Sequence, residues 1–252
     1  MRLLILAIAG LFALPLTAAT RYSIGVETTG DPLRPHVGAT VLAENAQRRV
    51  EIVENPIDCH VLLSDDSGAT FTALNTVLKT WWRPASILLL GRLRIYDPLP
   101  GSRRKSVRDV NVTTSNEPSE AIVGLATHKY VVKMSFGTHE DLSGTPVEAR
   151  VGATILVWTT GAVDAALALR AVDLTTGIPE VDALLNPALA KIPGFPLRTV
   201  LTATRAFAGG RPQTITVTAT VSDIRTAAAP PHAFERPADY VNQGPIIGGP
   251  GR

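Results

Sequence analysis

One cysteine, Cys59, stands alone among 252 residues. That excludes an intramolecular disulfide and leaves stability to the core. Charge of one sign is also missing: 24 Lys and Arg face 22 Asp and Glu. Such a chain has no field to drive nucleic-acid binding by counterion release. Beyond Leu16 no apolar run approaches the roughly 20 residues that span a bilayer as a helix. Compact catalytic signatures are absent too: no Gly-x-Ser-x-Gly elbow, no phosphate-cradling glycine loop and no Cys-x-x-Cys pair. His139-Glu140-Asp141 starts like a zinc-protease helix, but Ser143 stands where the second histidine belongs, so the segment reads as a turn between strands. His36, His60, His128 and His232 have no metal-ligand spacing. The residues thus predict no catalytic group, no metal and no cofactor.

What is present first is an address. Met1-Arg2 carries one positive charge, Leu3 to Leu16 is almost wholly apolar, and Thr17-Ala18-Ala19 ends in small residues. That order predicts a secretory signal over residues 1–19 with cleavage before Thr20. Removing it leaves 23 Lys and Arg against 22 Asp and Glu. Cys59 lies far from the cut, so no N-terminal lipid anchor is expected. The expectation is an exported protein, in the periplasm of a Gram-negative-type bacterium or secreted.

The rest alternates with period two. From Gln213 to Ser222, Ile215, Val217, Ala219 and Val221 face one way and four threonines the other, the pattern of a half-buried antiparallel strand. Val147 to Trp158 is a second strand, apolar on both faces near its end. His128 to Phe136 is a third, with Tyr130, Val132, Met134 and Phe136 on its inner face. Leu197 to Phe207 is a fourth, joined to the threonine-rich strand by Gly209-Gly210. Shorter strands are expected over Tyr22–Val26, Thr40–Ala43, Arg48–Val53, His60–Leu63, Thr70–Leu74, Val77–Trp82, Lys105–Thr113 and Glu120–Val123. Asp65-Asp66-Ser67-Gly68 is a strong turn between two of them. Asn111-Val112-Thr113 matches a glycosylation acceptor.

Three segments read as helical. Pro84 opens a short apolar piece to Gly91. Ala162 to Val172 is rich in Ala and Leu. Ile178, Val181, Leu184, Leu185, Ala188, Leu189 and Ile192 form an amphipathic stripe after Pro179, with Asn186-Pro187 expected to break it and Gly194 to end it. The tail after Ala227 is rich in Pro, Gly and Ala, with Phe234 and Tyr240 as expected anchors of its first half. The reading is one domain over 20–243 and a loose tail over 244–252. Its class is mainly β with helices: a strongly curved antiparallel sheet or incomplete barrel closed by short apolar helices.

Aromatic residues are few, and they sit on strands. Trp81, Tyr130, Met134, Phe136 and Trp158, with Leu89 and Leu185 from the helical pieces, either pack a solid core or line an apolar cavity between sheet and helices. Cys59 and His60 are adjacent. On a strand their side chains point to opposite faces, which excludes a catalytic pair and makes Cys59 a buried structural residue.

Several runs carry a resemblance. Arg48-Arg49-Val50-Glu51-Ile52, Leu62 through Thr70 and Lys79-Thr80-Trp81-Trp82 look like the start of an exported bacterial domain family of unknown function. Ile122-Val123-Gly124-Leu125-Ala126-Thr127-His128-Lys129-Tyr130 resembles its I-x-G-x-x-T-x-K-Y segment. Ile155-Leu156-Val157-Trp158 stands where that family has a Glu-x-Trp-like strand. Gly194-Phe195-Pro196-Leu197 resembles the start of a late strand pair, and Phe234 to Tyr240 resembles the closing F-x-x-P-x-x-Y. That family is similar to the periplasmic lipoprotein carriers (LolA/LolB-like). The resemblance implies a curved sheet closed by helices over an apolar cavity that takes lipid or a lipoprotein acyl chain. The carriers' partner-docking residues have no counterpart here.

The expected function is therefore a soluble, non-enzymatic periplasmic protein, a monomer, binding an apolar ligand. Peripheral contact with membrane proteins is compatible with it. The alternative is an envelope interaction or scaffold protein with a filled core.

Overall fold

Long alternating strands pair here with their neighbours in space and make one large sheet. The computed structural model describes residues 18–30, 36–54, 59–84, 93–95, 101–169 and 174–243. In chain order the strands are β1 (Ala18–Thr29), β2 (Val37–Glu44), β3 (Gln47–Glu54), β4 (Val61–Ser64), β5 (Thr72–Asn75), β6 (Thr80–Trp82), β7 (Leu93–Arg94), β8 (Ser102–Glu117), β9 (His128–Leu142) and β10 (Thr145–Thr160). Then come β11 (Leu174–Thr175), helix α1 (Pro179–Ala190), β12 (Phe195–Phe207), β13 (Gln213–Ala228) and β14 (Val241–Asn242). Twelve strands form a curved, open sheet in the order β14-β6-β5-β4-β3-β2-β1-β13-β12-β10-β9-β8. All pairs are antiparallel except β14 with β6.

The threonine-rich strand is central and half-buried, as its pattern requires. Val217, Ala219 and Val221 enter the core, while Thr202 bonds Thr216 and Thr204 bonds Thr214 across β12 and β13 on the other face. One face of the sheet, here called inner, carries a single apolar cluster reaching from Trp82 of β6 to Met134 of β9. Burial of that face is the main force for the fold. The apolar end of β10 is covered on both faces, with residues 157–160 all buried.

Several boundaries differ from the sequence expectation. Residues 120–123 are not a strand; β8 runs to Glu117, and Ile122 and Leu125 form an isolated bridge in the connection. Residues 76–79 form the β5–β6 turn, where Asn75 Oδ1 accepts from the amides of Val77 and Leu78. A short polar side chain that bonds the backbone ahead of it favours a turn over a strand. His139-Glu140-Asp141 continues β9, and the hairpin turn falls at Ser143-Gly144, both with positive φ. Helix α1 does not break at Pro187. The missing amide would have served Ala183 on the exposed side, where water can replace it.

Among the described residues the cover over the inner face holds one α-helix and one 3-10 turn rather than several short helices. Among the described residues α1 is the only α-helix; Ala165–Leu167 forms a single 3-10 turn and Ala168 after it is extended. Such a segment, a single turn capped by Asp164, whose Oδ1 accepts from the Ala166 amide at 2.9 Å, is too short to gain stability from helical propagation. The expected apolar helix over 85–91 lies outside the described residues. Instead, β7 and β11 pair in parallel, joining the connection after β6 to the one after β10. Ile95 and Leu169 enter the core from these two connections. Gly194, at φ 88°, turns the chain into β12 where a Cβ would lie 2.8 Å from the Thr160 carbonyl oxygen.

The outer face of β1–β6 is crossed by the tail. Arg49 Nη1 donates to the Ala233 carbonyl, Lys79 pairs with Asp239, and Tyr240 packs with Trp81 on Val61, Leu63 and Leu74. The chain then adds β14 to the edge at β6. β1 begins at Ala18, and Ala18 and Ala19 pair with Ala228 and Ala227. Among the described residues no helix is long and apolar enough to cross a membrane.

Candidate functional site

The open edge of the sheet at β8 differs from the rest of the inner face. Inward from that edge, Val132 of β9, Ile155 of β10 and Leu197 of β12 are fully buried. Under α1, which packs on β8 and β9, the apolar side chains are only partly covered. Val107, Val110 and Val112 of β8 and Ala188, Leu189 and Ile192 at the end of α1 are all half-buried against the core.

Local chemistry fixes the helix there. Ile178, Val181 and Leu185 are fully buried at spacings of three and four, which roots one stripe of α1 in the core. Pro179 begins the helix, where its lack of an amide costs nothing. Ahead of it, Asp182 Oδ1 accepts from the amide and the hydroxyl of Thr176, each at 2.7 Å, and Thr176 Oγ1 accepts from the Ile178 amide at 3.1 Å. On the sheet side, Met134 pairs with Val112 of β8 and Ala153 of β10, and Tyr130 with Asn116 and Val157. Two register shifts, at Arg104/Ser106 and Arg108/Asn111, interrupt the edge strand. Such bulges discourage another strand from adding there.

Four of the seven expected lining residues share this inner side. Met134, Phe136 and Leu185 are buried in the main core, and Tyr130 is half-buried on the same face of β9. Trp81 does not join them, and Trp158, though buried in the same cluster, stands on the opposite face of β10 from Ile155 and Val157. Trp81 pairs with Leu74 on the outer face, under the Arg236 guanidinium 4.6 Å from its ring; Trp82 takes the inner position. Trp158 sits between its cross-strand partners, with Lys129 Nζ at 5.1 Å and Arg198 Cζ at 5.6 Å from its ring. These cations are tied to Glu117 and to Glu120 in turn. Leu89 lies outside the described residues.

A polar group within the inner face was missed by the sequence reading. Glu140 is fully buried and pairs with Arg205 at 3.3 Å, beside Thr138, whose buried hydroxyl has no partner among the described residues. The alternation Tyr130, Val132, Met134, Phe136, carried two steps further, points to both Thr138 and Glu140. Reading residues 139–141 as a turn hid it.

Another polar tie crosses mid-sheet. Tyr22 Oη donates to the Leu167 carbonyl at 3.0 Å and accepts from the Leu169 amide at 2.8 Å. Burial pushes that phenol well above its ordinary range. The fully buried Arg48 donates to the carbonyls of Asn45, Gln47 and Ala166, and burial lowers its pKa.

Cys59 is buried, and His60 Nδ1 accepts from the Thr76 amide at 3.3 Å. Among the described residues no group of three His, Cys, Asp or Glu side chains is placed to hold a metal.

No family model matches the sequence, and no curated protein is similar to it. Among solved structures, the crystal structure of a LolA superfamily protein from Nitrosomonas europaea is similar, at 11% identity over 88% of this chain and 91% of that one, with a TM-score of 0.31. A likeness of that degree leaves the functional reading to the geometry of this chain.

Proposed function

We propose that this chain is an exported, non-enzymatic protein that shelters an apolar ligand, a lipid or a lipoprotein acyl chain, in the seam between α1 and the β8–β9 edge. The observation that carries it is the uneven cover of the inner face. Val107, Val112, Leu189 and Ile192 are gathered half-buried there, while Val132, Ile155 and Leu197 of the same face are fully buried. Each methylene moved from water into such a seam contributes about 0.8 kcal/mol. Association itself costs about 4–15 kcal/mol, so a long chain suits the seam better than a small apolar solute. No acid, base or nucleophile is needed. The working form in this reading is a periplasmic monomer with no nucleic-acid partner.

Native mass spectrometry after gentle extraction should show bound lipid, and the purified protein should take up a fluorescent fatty acid. Ile192→Asp and Leu189→Asp should abolish uptake. Leu184→Asp, on the half-exposed side of α1, should not. A clean apo mass together with no uptake would sink the proposal.

Full burial of Val132, Ile155, Leu185 and Leu201 favours a second reading, a scaffold with a filled core and no ligand. It predicts that all three variants behave alike toward the probe.

A further inference from the structure

The outer face carries a different feature, on the opposite side of the sheet from the seam. Arg21 of β1 and Arg225 of β13 are direct partners in the antiparallel ladder, and both are exposed. Residues opposite one another in such a pair project to the same side, and like charges placed so repel. Neither guanidinium has a hydrogen bond or ion pair among the described residues. The third arginine of the row is different. Arg49 of β3 donates to Glu51 at 2.7 Å and to the Ala233 carbonyl at 3.0 Å, so its charge is answered.

Arg21 lines a groove of about 370 Å³ between the outer face of β1–β3 and the start of the tail. Thr40 and Leu42 form its floor, and Pro230 and Pro231 its opposite wall. That volume lies within the range of small-molecule sites. The acidic groups around it are engaged: Glu51 by Arg49, and Glu235 by His232 at 2.9 Å. Asp223, the extra residue where the β1–β13 register shifts, has φ 53° and accepts from the Ser222 hydroxyl at 3.5 Å. The groove therefore combines a hydroxyl, an apolar floor, a proline wall and the unanswered guanidinium of Arg21, while Arg225, the ladder partner of Arg21, stands beside that end and outside the lining.

We propose that this groove binds a phosphate-bearing ligand, with Arg21 and Arg225 clasping the phosphate and Leu42 and the prolines contacting its organic part. A planar guanidinium offers paired donors that match phosphate oxygens, and two of them gain most where no carboxylate competes. An anion between them also removes their mutual repulsion. The phosphate can belong to a soluble ester or to a lipid head group.

Thermal unfolding in inorganic phosphate, against sodium chloride at equal ionic strength, tests the site. Phosphate should raise the Tm of the wild type by several degrees more than chloride does. Arg21→Gln and Arg225→Gln should each lose that increment. In chloride their Tm should match or exceed the wild type, since repulsion is relieved; a merely structural arginine would lower it. Glycerol 3-phosphate and vesicles of phosphatidylglycerol, with phosphatidylcholine vesicles as control, then separate the two sources. Sedimentation with phosphatidylglycerol alone, lost in Arg21→Gln, assigns a head group; stabilisation by the soluble ester without sedimentation assigns a free ligand. No phosphate-specific increment in the wild type, or an undiminished one in both variants, overturns the proposal. Ile192→Asp should leave the phosphate response intact, so this site and the apolar seam stand or fall separately.

Discussion

Tyr22 and Phe195 meet edge to face, their ring centroids 5.2 Å apart and their planes at 88°. That contact joins β1 to the start of β12 across the intervening β13. It also sets the phenol where it can hold the chain crossing above it at Leu167 and Leu169. One side chain thus links the middle of the sheet to its cover.

Tyr22→Phe keeps the ring contact and removes the phenol. The Leu169 amide, buried with it, is left without its acceptor, at a cost of about 1–3 kcal/mol. Urea unfolding should show that loss with an unchanged m-value. Limited proteolysis should find residues 161–169 more readily cut; equal cutting in both proteins would mean that the phenol does not hold the crossing.

The two adjacent tryptophans should behave differently. Trp82 is in the main core, and Trp82→Ala should cost about 3–5 kcal/mol by loss of transfer energy and creation of a cavity. Trp81 is half-exposed beneath Arg236, so Trp81→Ala should cost clearly less. Chemical denaturation of the two variants checks the order, and a reversed order would contradict the face assignment.

Glu140 and Arg205 form a pair in which the carboxylate is fully buried. Arg205→Met takes one cationic partner from that buried charge and should destabilise by up to about 3–5 kcal/mol. The double variant Glu140→Leu/Arg205→Met should recover most of the loss. A double-mutant cycle measures the coupling, and simple additivity would show that the pair does not act as one.

Asp66 governs an acid response. Its carboxylate accepts from the hydroxyl and amide of Thr70 and from the Ser64 hydroxyl, which hold its pKa well below the ordinary carboxylate range. A group depressed in the folded state contributes stability above its unfolded pKa, and that contribution fades as pH falls toward the folded pKa. Asp66→Asn should therefore be less stable than the wild type at neutral pH, with the difference shrinking below about pH 4. A difference independent of pH, in unfolding curves between pH 3 and 7, would argue against this role.

Much of the sheet was legible because strand alternation is local. Residues 213–222, 147–158 and 197–207 announced their inner faces with long runs of period two, and each strand proved longer than its apolar pattern. Beyond the pattern, polar residues such as those of Ser102–Glu117 are held by ladder hydrogen bonds that only a neighbouring strand supplies. Short elements gave weaker signals. In Trp81-Trp82 both residues are large and apolar, so nothing in the dipeptide says which faces inward.

The sequence by itself determined the β-rich class, the hairpin at Gly209-Gly210, the turn at Asp65–Gly68, the buried lone cysteine and the apolar stripe of α1. Each depends on residues within one or two turns of chain. The tertiary structure alone decided that β1 pairs with β13, that β14 joins β6 in parallel and that Arg21 meets Arg225. Those outcomes depend on contacts between residues up to about two hundred positions apart. Burial of the whole inner face selects them, and no local periodicity carries that information.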